Sequence, residues 1–193
     1  MGETRQVRIG VTGAGHLGRY HIECLQRIEG FSLVGFYDSD ATRSAEMASK
    51  YAITPFSSFG ELLDSVEAMC IVTPTITHFE LAQKAIEAGK HLFIEKPLTD
   101  APATSRQLAK QMAEKNLIGR VGHVERYNPA FVAAKKIGID KPVFIEAHRL
   151  APFNPRGMDV PVIMDLMIHD IDLVLSMVDA EVDHIEANGV GVA

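Results

Sequence analysis

Residues 7–18 read VRIGVTGAGHLG, and this stretch decides the fold. Val7–Gly13 is a short apolar, β-branched run of the kind that forms a buried strand. It leads directly into Gly13-Ala14-Gly15-His16-Leu17-Gly18, a GxGxxG spacing that opens an amphipathic stretch. Between a strand and a helix, Gly13 permits a tight turn, Gly15 lets backbone amides approach a pyrophosphate, and Gly18 lets helix and strand pack closely. The helix then offers the phosphates its free first-turn N–H groups and its partial positive charge. A glycine triplet by itself also suits a mere turn, so the surrounding pattern has to decide. Ala14, His16 and Leu17 complete the candidate cradle.

Outward from that turn, short apolar runs recur at Phe31–Tyr37, Ala68–Val72 and Leu92–Glu95, with amphipathic stretches between them. Such alternation predicts an α/β fold, a doubly wound parallel sheet of the Rossmann type. Ser58 with Glu61 and Thr77 with Glu80 are spaced as capping boxes, Asp100 before Ala101-Pro102 marks another helix start, and Gly30 and Gly89 punctuate helix ends. A last strand, Ile118–Val124, completes an expected dinucleotide-binding domain over residues 1–124. The character changes at Glu125–Pro129 (ERYNP). A short helix, a strand Val143–Arg149, a Pro-rich loop Ala151–Pro161, a long apolar helix Val162–Val178 and a strand Val182–Ala193 are expected beyond it. Residues 125–193 therefore read as the start of an α+β domain that looks truncated, because a terminal strand with an exposed edge is a liability.

Asp38 ends the second strand, where a carboxylate accepts hydrogen bonds from both hydroxyls of an adenosine ribose. A phosphate on that ribose would meet the same carboxylate at a cost of roughly 4 kcal/mol for two unit charges ~4 Å apart at an effective dielectric of ~20. NAD is thus expected over NADP. Arg43 would weaken that discrimination by swinging toward the ribose. Asp38-Ser39-Asp40 also suits a plain helix start.

Bulk properties narrow the class. A net charge of −6 without a Lys/Arg cluster argues against a nucleic-acid partner. Cys24 and Cys70 fall on a helix and in a strand, as core thiols do, so no disulfide framework is expected. The amino terminus MGETRQ lacks a secretory pattern, Gln6 stands where a myristoylation signal wants Ser or Thr, and no apolar run approaches the about 20 residues that cross a bilayer. A cytoplasmic protein acting on a small molecule, with no membrane partner, is the expectation.

Ile71–Leu98 (IVTPTITHFELAQKAIEAGKHLFIEKPL), taken with the glycine fingerprint and Asp165-Leu-Met-Ile-His169, resembles the glucose-fructose oxidoreductase / inositol dehydrogenase / rhizopine catabolism (Gfo/Idh/MocA) family. Glu95-Lys96-Pro97 at a strand end is the distinctive element. The resemblance implies a lysine, Lys96, between nicotinamide and substrate hydroxyl, with Asp165 and His169 on a second-domain helix completing the site. It further implies a second-domain open mixed sheet that builds the substrate pocket and the face of a homo-oligomer. Within the family, VGHVERYNPA and DLMIHDIDLVL look closest to members that oxidise a nucleotide-activated amino sugar at a ring hydroxyl. A dehydrogenase of a free sugar or cyclitol, or a non-catalytic NAD-binding regulatory relative, are the alternatives. Family members normally continue further, so a chain of this length is expected to be too short for full activity.

Residue chemistry supports those roles. Ligands bind at the carboxyl ends of strands in open α/β sheets, which delivers Lys96 to the crevice. A lysine whose pKa falls through burial or neighbouring cations shuttles a proton or polarises a carbonyl near neutrality. Pro97 restricts the preceding residue to extended geometry, and Glu95 is read as positioning Lys96 or touching the cofactor. Asp165 and His169, four apart, share a helix face, with His169 as general base and Asp165 orienting it or binding a sugar hydroxyl. The pair also suits a metal site or a satisfied core network; no third ligand is suitably spaced, so no metal is expected. Thr73-Pro74-Thr75 after the Ala68–Val72 strand should approach the nicotinamide ribose, and His78 completes the family's TP...H pattern. Arg126 and Asn128 match the family's Arg-aromatic-Asn/Asp-Pro junction and join the cofactor candidates. Arg149 and Arg156 are the cations placed to meet a substrate pyrophosphate, with surface charge as the other reading.

Overall fold

The computed structural model describes residues 5–138, 142–150 and 160–191. Five parallel strands form one sheet: β1 (Val7–Thr12), β2 (Phe31–Tyr37), β3 (Ala68–Ile71), β4 (His91–Ile94) and β5 (Gly119–Val121). Their order is β2-β1-β3-β4-β5. Side chains alternate between the sheet faces, so one strand feeds two cores. Ala68, Cys70 and Val72 join Ile9, Val11 and Phe36 on one face, while Met69 and Ile71 join Leu92 and Ile94 on the other. Register enforces the split: Val11 pairs with Phe36 on one side and Cys70 on the other, and Ile71 pairs with Ile94.

Helices cover both faces. α1 (His16–Leu25) and α2 (Ala41–Tyr51) bring Ile22 and Met47 to the first core. α3 (Phe59–Ser65), α4 (His78–Glu87) and α5 (Pro102–Glu114) bring Leu62, Ala82, Ile86 and Leu108 to the second. Ile22, Phe36, Leu62 and Met69 have no solvent exposure, and each such burial stabilises by about 1.5–3 kcal/mol. The doubly wound parallel sheet is as the sequence predicts.

Helix starts follow the sequence unevenly. Ser58 caps α3 through the Glu61 amide at 3.2 Å, as its spacing foretells. Thr77 does not cap α4; its hydroxyl lies 2.7 Å from Thr73 Oγ1 and 2.8 Å from the Pro74 carbonyl, tying the preceding loop instead. α5 starts one residue later than Asp100 suggests, with Ala101 at the cap and Pro102 in the first turn. Gly30 and Gly89 do adopt positive φ.

Beyond β5 come a single turn at Val124–Tyr127, helix α6 (Pro129–Lys136), a π-helical segment at Ile163–Met167 and α7 (Ile168–Met177). The long apolar helix is therefore present, its first turns wound wider than expected. The strands expected at Val143–Arg149 and Val182–Ala193 are not formed among the described residues. A strand gains its stability from a neighbour's backbone, and neither segment has one here.

Candidate functional site

β1 ends at Thr12 and the chain turns at Gly13, whose φ of +90° and approach to Val72 would strain any side chain: an added Cβ would lie 2.5 Å from the Val72 carbonyl oxygen. A Cβ on Gly18 would meet the Gly13 carbonyl oxygen at 2.0 Å, so the helix closes onto the turn only without one. Gly15 faces open space and sits at the α1 amino terminus with no side chain capping it. A bare concavity below uncapped helix amides fits a dinucleotide pyrophosphate.

Asp38 stands at the β2 end with its side chain 4% exposed. Its Oδ2 accepts from the Ala14 amide at 2.7 Å, and its Oδ1 from the Asp40 amide at 2.9 Å and from Arg43 Nη1 at 2.9 Å. The carboxylate therefore fastens the glycine turn to the second strand, and Arg43 sits on it as counter-charge. Asp40, rather than Asp38, caps α2 by accepting from Thr42 and Arg43 amides.

From this turn an open cleft of about 1050 Å³ runs over the carboxyl ends of the strands. Gly13, Gly15, His16, Leu17, Asp38, Arg43, Thr73, Pro74 and Thr75 of the cofactor candidates line it, joined by Glu95, Lys96 and Asp165. His78 lies below this surface. It is 1% exposed, with Nδ1 2.9 Å from the Pro97 carbonyl and Nε2 2.8 Å from the Thr73 carbonyl. Its place is to lock the loop after β3 to the loop after β4.

Lys96 and Asp165 meet across 69 positions of sequence: the ammonium donates to the Asp165 carbonyl oxygen at 2.7 Å and to its Oδ1 at 3.0 Å. Asp165 sits in the π-helical segment, and single π turns recur at functional sites. His169 follows one turn later, outside the cleft wall. Its Nδ1 is buried and has no partner among the described residues. Burial, then the Lys96 and Arg149 charges, push its pKa below the ordinary imidazole value.

The remaining candidates are held by other groups. Arg126 makes a bidentate pair with Asp172, at 2.7 and 2.6 Å, which keeps that carboxyl below the usual range. Arg149 pairs in the same way with Asp170, at 2.8 and 2.7 Å. Asn128 caps α6 through the Ala130 amide. Arg156 falls outside the described residues. Among the described residues no group of three or more His, Cys, Asp or Glu could hold a metal ion, and no helix is long and apolar enough to cross a membrane.

Sequence reasoning missed two residues. Asp172 is buried against Arg126. His21, on α1, lies 2.8 Å from Glu95. The available signal was a polar ring beside Ile22 on the sheet-facing side of a helix that begins at the glycine turn.

A family model for Gfo/Idh/MocA, described as an oxidoreductase family with an NAD-binding Rossmann fold, matches residues 7–123. The chain is 44% identical over 184 residues to UDP-N-acetylglucosamine 3-dehydrogenase of Acidithiobacillus ferrooxidans, covering 95% of this chain and 58% of that one. It is 32% identical over 196 residues to scyllo-inositol 2-dehydrogenase (NAD(+)) of Bacillus subtilis, covering 95% and 57%. The solved structure of the Acidithiobacillus ferrooxidans enzyme, GnnA, superposes with a TM-score of 0.90 at 43% identity, covering 97% of this chain and 61% of that one. GenD2 from gentamicin A biosynthesis, solved in complex with NAD, shares the fold at 24% identity with a TM-score of 0.78, covering 92% and 55%. The chain spans about 58% of the length of the curated relatives it matches.

Proposed function

The chain belongs to the Gfo/Idh/MocA oxidoreductase family, and from that premise we propose that the protein transfers a hydride between nicotinamide and a ring hydroxyl of a sugar, with a nucleotide-activated amino sugar such as UDP-N-acetylglucosamine as the favoured substrate. The observation that carries this reading is the 3.0 Å pair of Lys96 and Asp165 at the edge of the glycine-floored cleft. Two groups so far apart in sequence meet where the reactive end of a dinucleotide would lie.

NAD, when bound, supplies the hydride acceptor. Gly13–Gly18 would hold its pyrophosphate and Asp38 its adenosine ribose, the latter favouring NAD over NADP. Lys96 offers an ammonium that holds and polarises a substrate oxygen, and Asp165 fixes that ammonium and offers a carboxylate to a neighbouring hydroxyl. His169, whose pKa burial and the Lys96 charge lower, is assigned the alcohol proton as general base. Residues 1–124 are assigned to cofactor binding and 125–193 to the start of the catalytic domain. Cytoplasmic location and a homo-oligomer built through that domain belong to the same reading.

The test is NADH fluorescence on mixing the protein with NAD and either UDP-N-acetylglucosamine or free myo-inositol. Reduction with the nucleotide sugar alone is the expected result; the opposite preference replaces it with a cyclitol dehydrogenase, a reading that the similarity to the inositol enzyme favours. Cofactor binding with turnover of neither leaves two readings, a non-catalytic NAD-binding relative or a chain too short to complete the substrate site.

A further inference from the structure

Glu95 carries a constellation that hydride transfer as described above does not use. Its Oε1 lies 2.8 Å from His21 Nε2, and its Oε2 accepts from the Lys96 amide at 3.2 Å. On its remaining side lies Gly122, where an added Cβ would stand 2.7–2.8 Å from the carboxylate oxygens. Helix α1, the β4 end and the residue after β5 thus converge on one carboxylate whose side chain is only 14% exposed, yet which forms part of the cleft wall.

The His21 ring is oriented by what lies behind it. Cys70 Sγ is 3.5 Å from Nδ1. Burial, then the Glu95 charge, push the Cys70 thiol above the ordinary range, so it remains S–H and can donate. Nδ1 then accepts, and Nε2 carries the proton that it donates to Glu95. The order Cys70 to His21 to Glu95 leaves a carboxylate braced by donors, with no Lys or Arg side chain paired to it among the described residues.

The sheet order determines what this carboxylate faces. With pyrophosphate on the turn after β1 and adenosine ribose over β2, the strand order sends the nicotinamide half toward the carboxyl ends of β3 and β4. Glu95 closes β4. Oxidised nicotinamide is a cation and reduced nicotinamide is neutral, so a fixed negative charge nearby favours the oxidised ring.

We propose that Glu95, braced by His21, is the determinant of this site's preference between the two redox forms of its cofactor, holding NAD+ more tightly than the same site without the charge. The proposal rests on the dinucleotide-binding reading given above and concerns residues that lie wholly in the strand-and-helix half of the chain.

The experiment is equilibrium binding of NAD+, NADH and ADP-ribose to the chain and to its variants by calorimetry. Glu95→Gln keeps the shape and the acceptor oxygen while removing the charge; the ratio of the NADH to the NAD+ dissociation constant is expected to fall about tenfold, the effect of one partly screened charge a few ångströms away. ADP-ribose, which lacks the nicotinamide, is expected to bind unchanged. Glu95→Asp, which retains the charge, is expected to retain most of the ratio. His21→Leu should move the ratio in the same direction as Glu95→Gln by a smaller factor, and His21→Gln, whose amide again offers an N–H, should restore it. A ratio that stays within about twofold in Glu95→Gln, against the tenfold expected from the charge, overturns the proposal. So does an equal loss in Glu95→Asp, which would make the group a matter of packing, or a loss of ADP-ribose binding, which would make it a prop for the cradle. If the unaltered chain binds none of the three ligands, the dinucleotide reading itself has failed.

Discussion

Two stretches of this chain treat their apolar side chains in opposite ways. Buried hydrophobic residues run from Ile9 to Met112. Past Met112 the described residues contribute none, while Val143, Phe144, Leu150, Ile185 and Val190 are between 77% and 102% exposed. The first stretch is self-sufficient because a parallel sheet wrapped on both sides satisfies its backbone and hides its side chains at once. A polar tie, Lys96 to Asp165, holds the second against the first, and Arg126 to Asp172 braces the second internally. Stability thus resides in one stretch, and the other supplies groups to the cleft. A wall built from ion pairs answers to charge and pH in ways a sheet core does not.

The sharpest way to break this contrast is at the lysine that joins the two. Lys96→Met is expected to lower turnover by about 10²- to 10⁴-fold, the usual worth of a positioned proton-handling group, while the melting temperature and NAD affinity stay close to the parent. A parallel collapse of melting temperature would make Lys96 a structural tie. Next in size, Leu62→Ala should cost about 2–5 kcal/mol in denaturant unfolding, whereas Leu175→Ala, at a site 52% exposed, should stay within about 0.5 kcal/mol. Equal costs would erase the contrast.

A smaller effect sharpens it. Asp172→Asn removes the charge from the Arg126 pair and should loosen the second stretch by about 1–3 kcal/mol. Hydrogen exchange would detect this as faster exchange in α7 with β1 and β3 unchanged; protection lost evenly across the sheet would contradict it. The smallest effect is in pH. Because the folded pKa of His169 lies below its unfolded value, the unfolded chain binds the extra proton between the two, and stability rises with pH there. The contribution is fully present above the unfolded value of about 6.5 and is lost as pH falls below it toward the folded value. The acid limb of kcat/KM should likewise lie below the ordinary imidazole range, and Lys96→Met should move the protection of α7 against acid back toward that range. An acid limb at or above the free-imidazole value would show that burial and Lys96 do not act on this ring.

The sheet was readable from the sequence because its signals are local. Val7–Gly18 carries strand, turn and helix start in sequence, and Ser58-Glu61 carries its own cap. The Lys96–Asp165 meeting was legible only through family resemblance, since nothing local links residues so far apart. His21 and Asp172 were missed for the same reason: a polar side chain reveals its purpose through a partner on another element, here Glu95 and Arg126. Thr77 misled because its hydroxyl had a nearer use, bridging Thr73 and Pro74. The segments at 143–149 and 182–191 have the composition of strands, but composition cannot provide the neighbour that a strand requires.

A lysine head has three N–H bonds, set at tetrahedral angles. At position 96, two of them end on the same aspartate, one on its backbone and one on its side chain. A single hydrogen is left over among the described contacts, and its direction is dictated by the other two. The direction in which position 96 can still donate is thereby set by the backbone of a helix that follows almost seventy residues later.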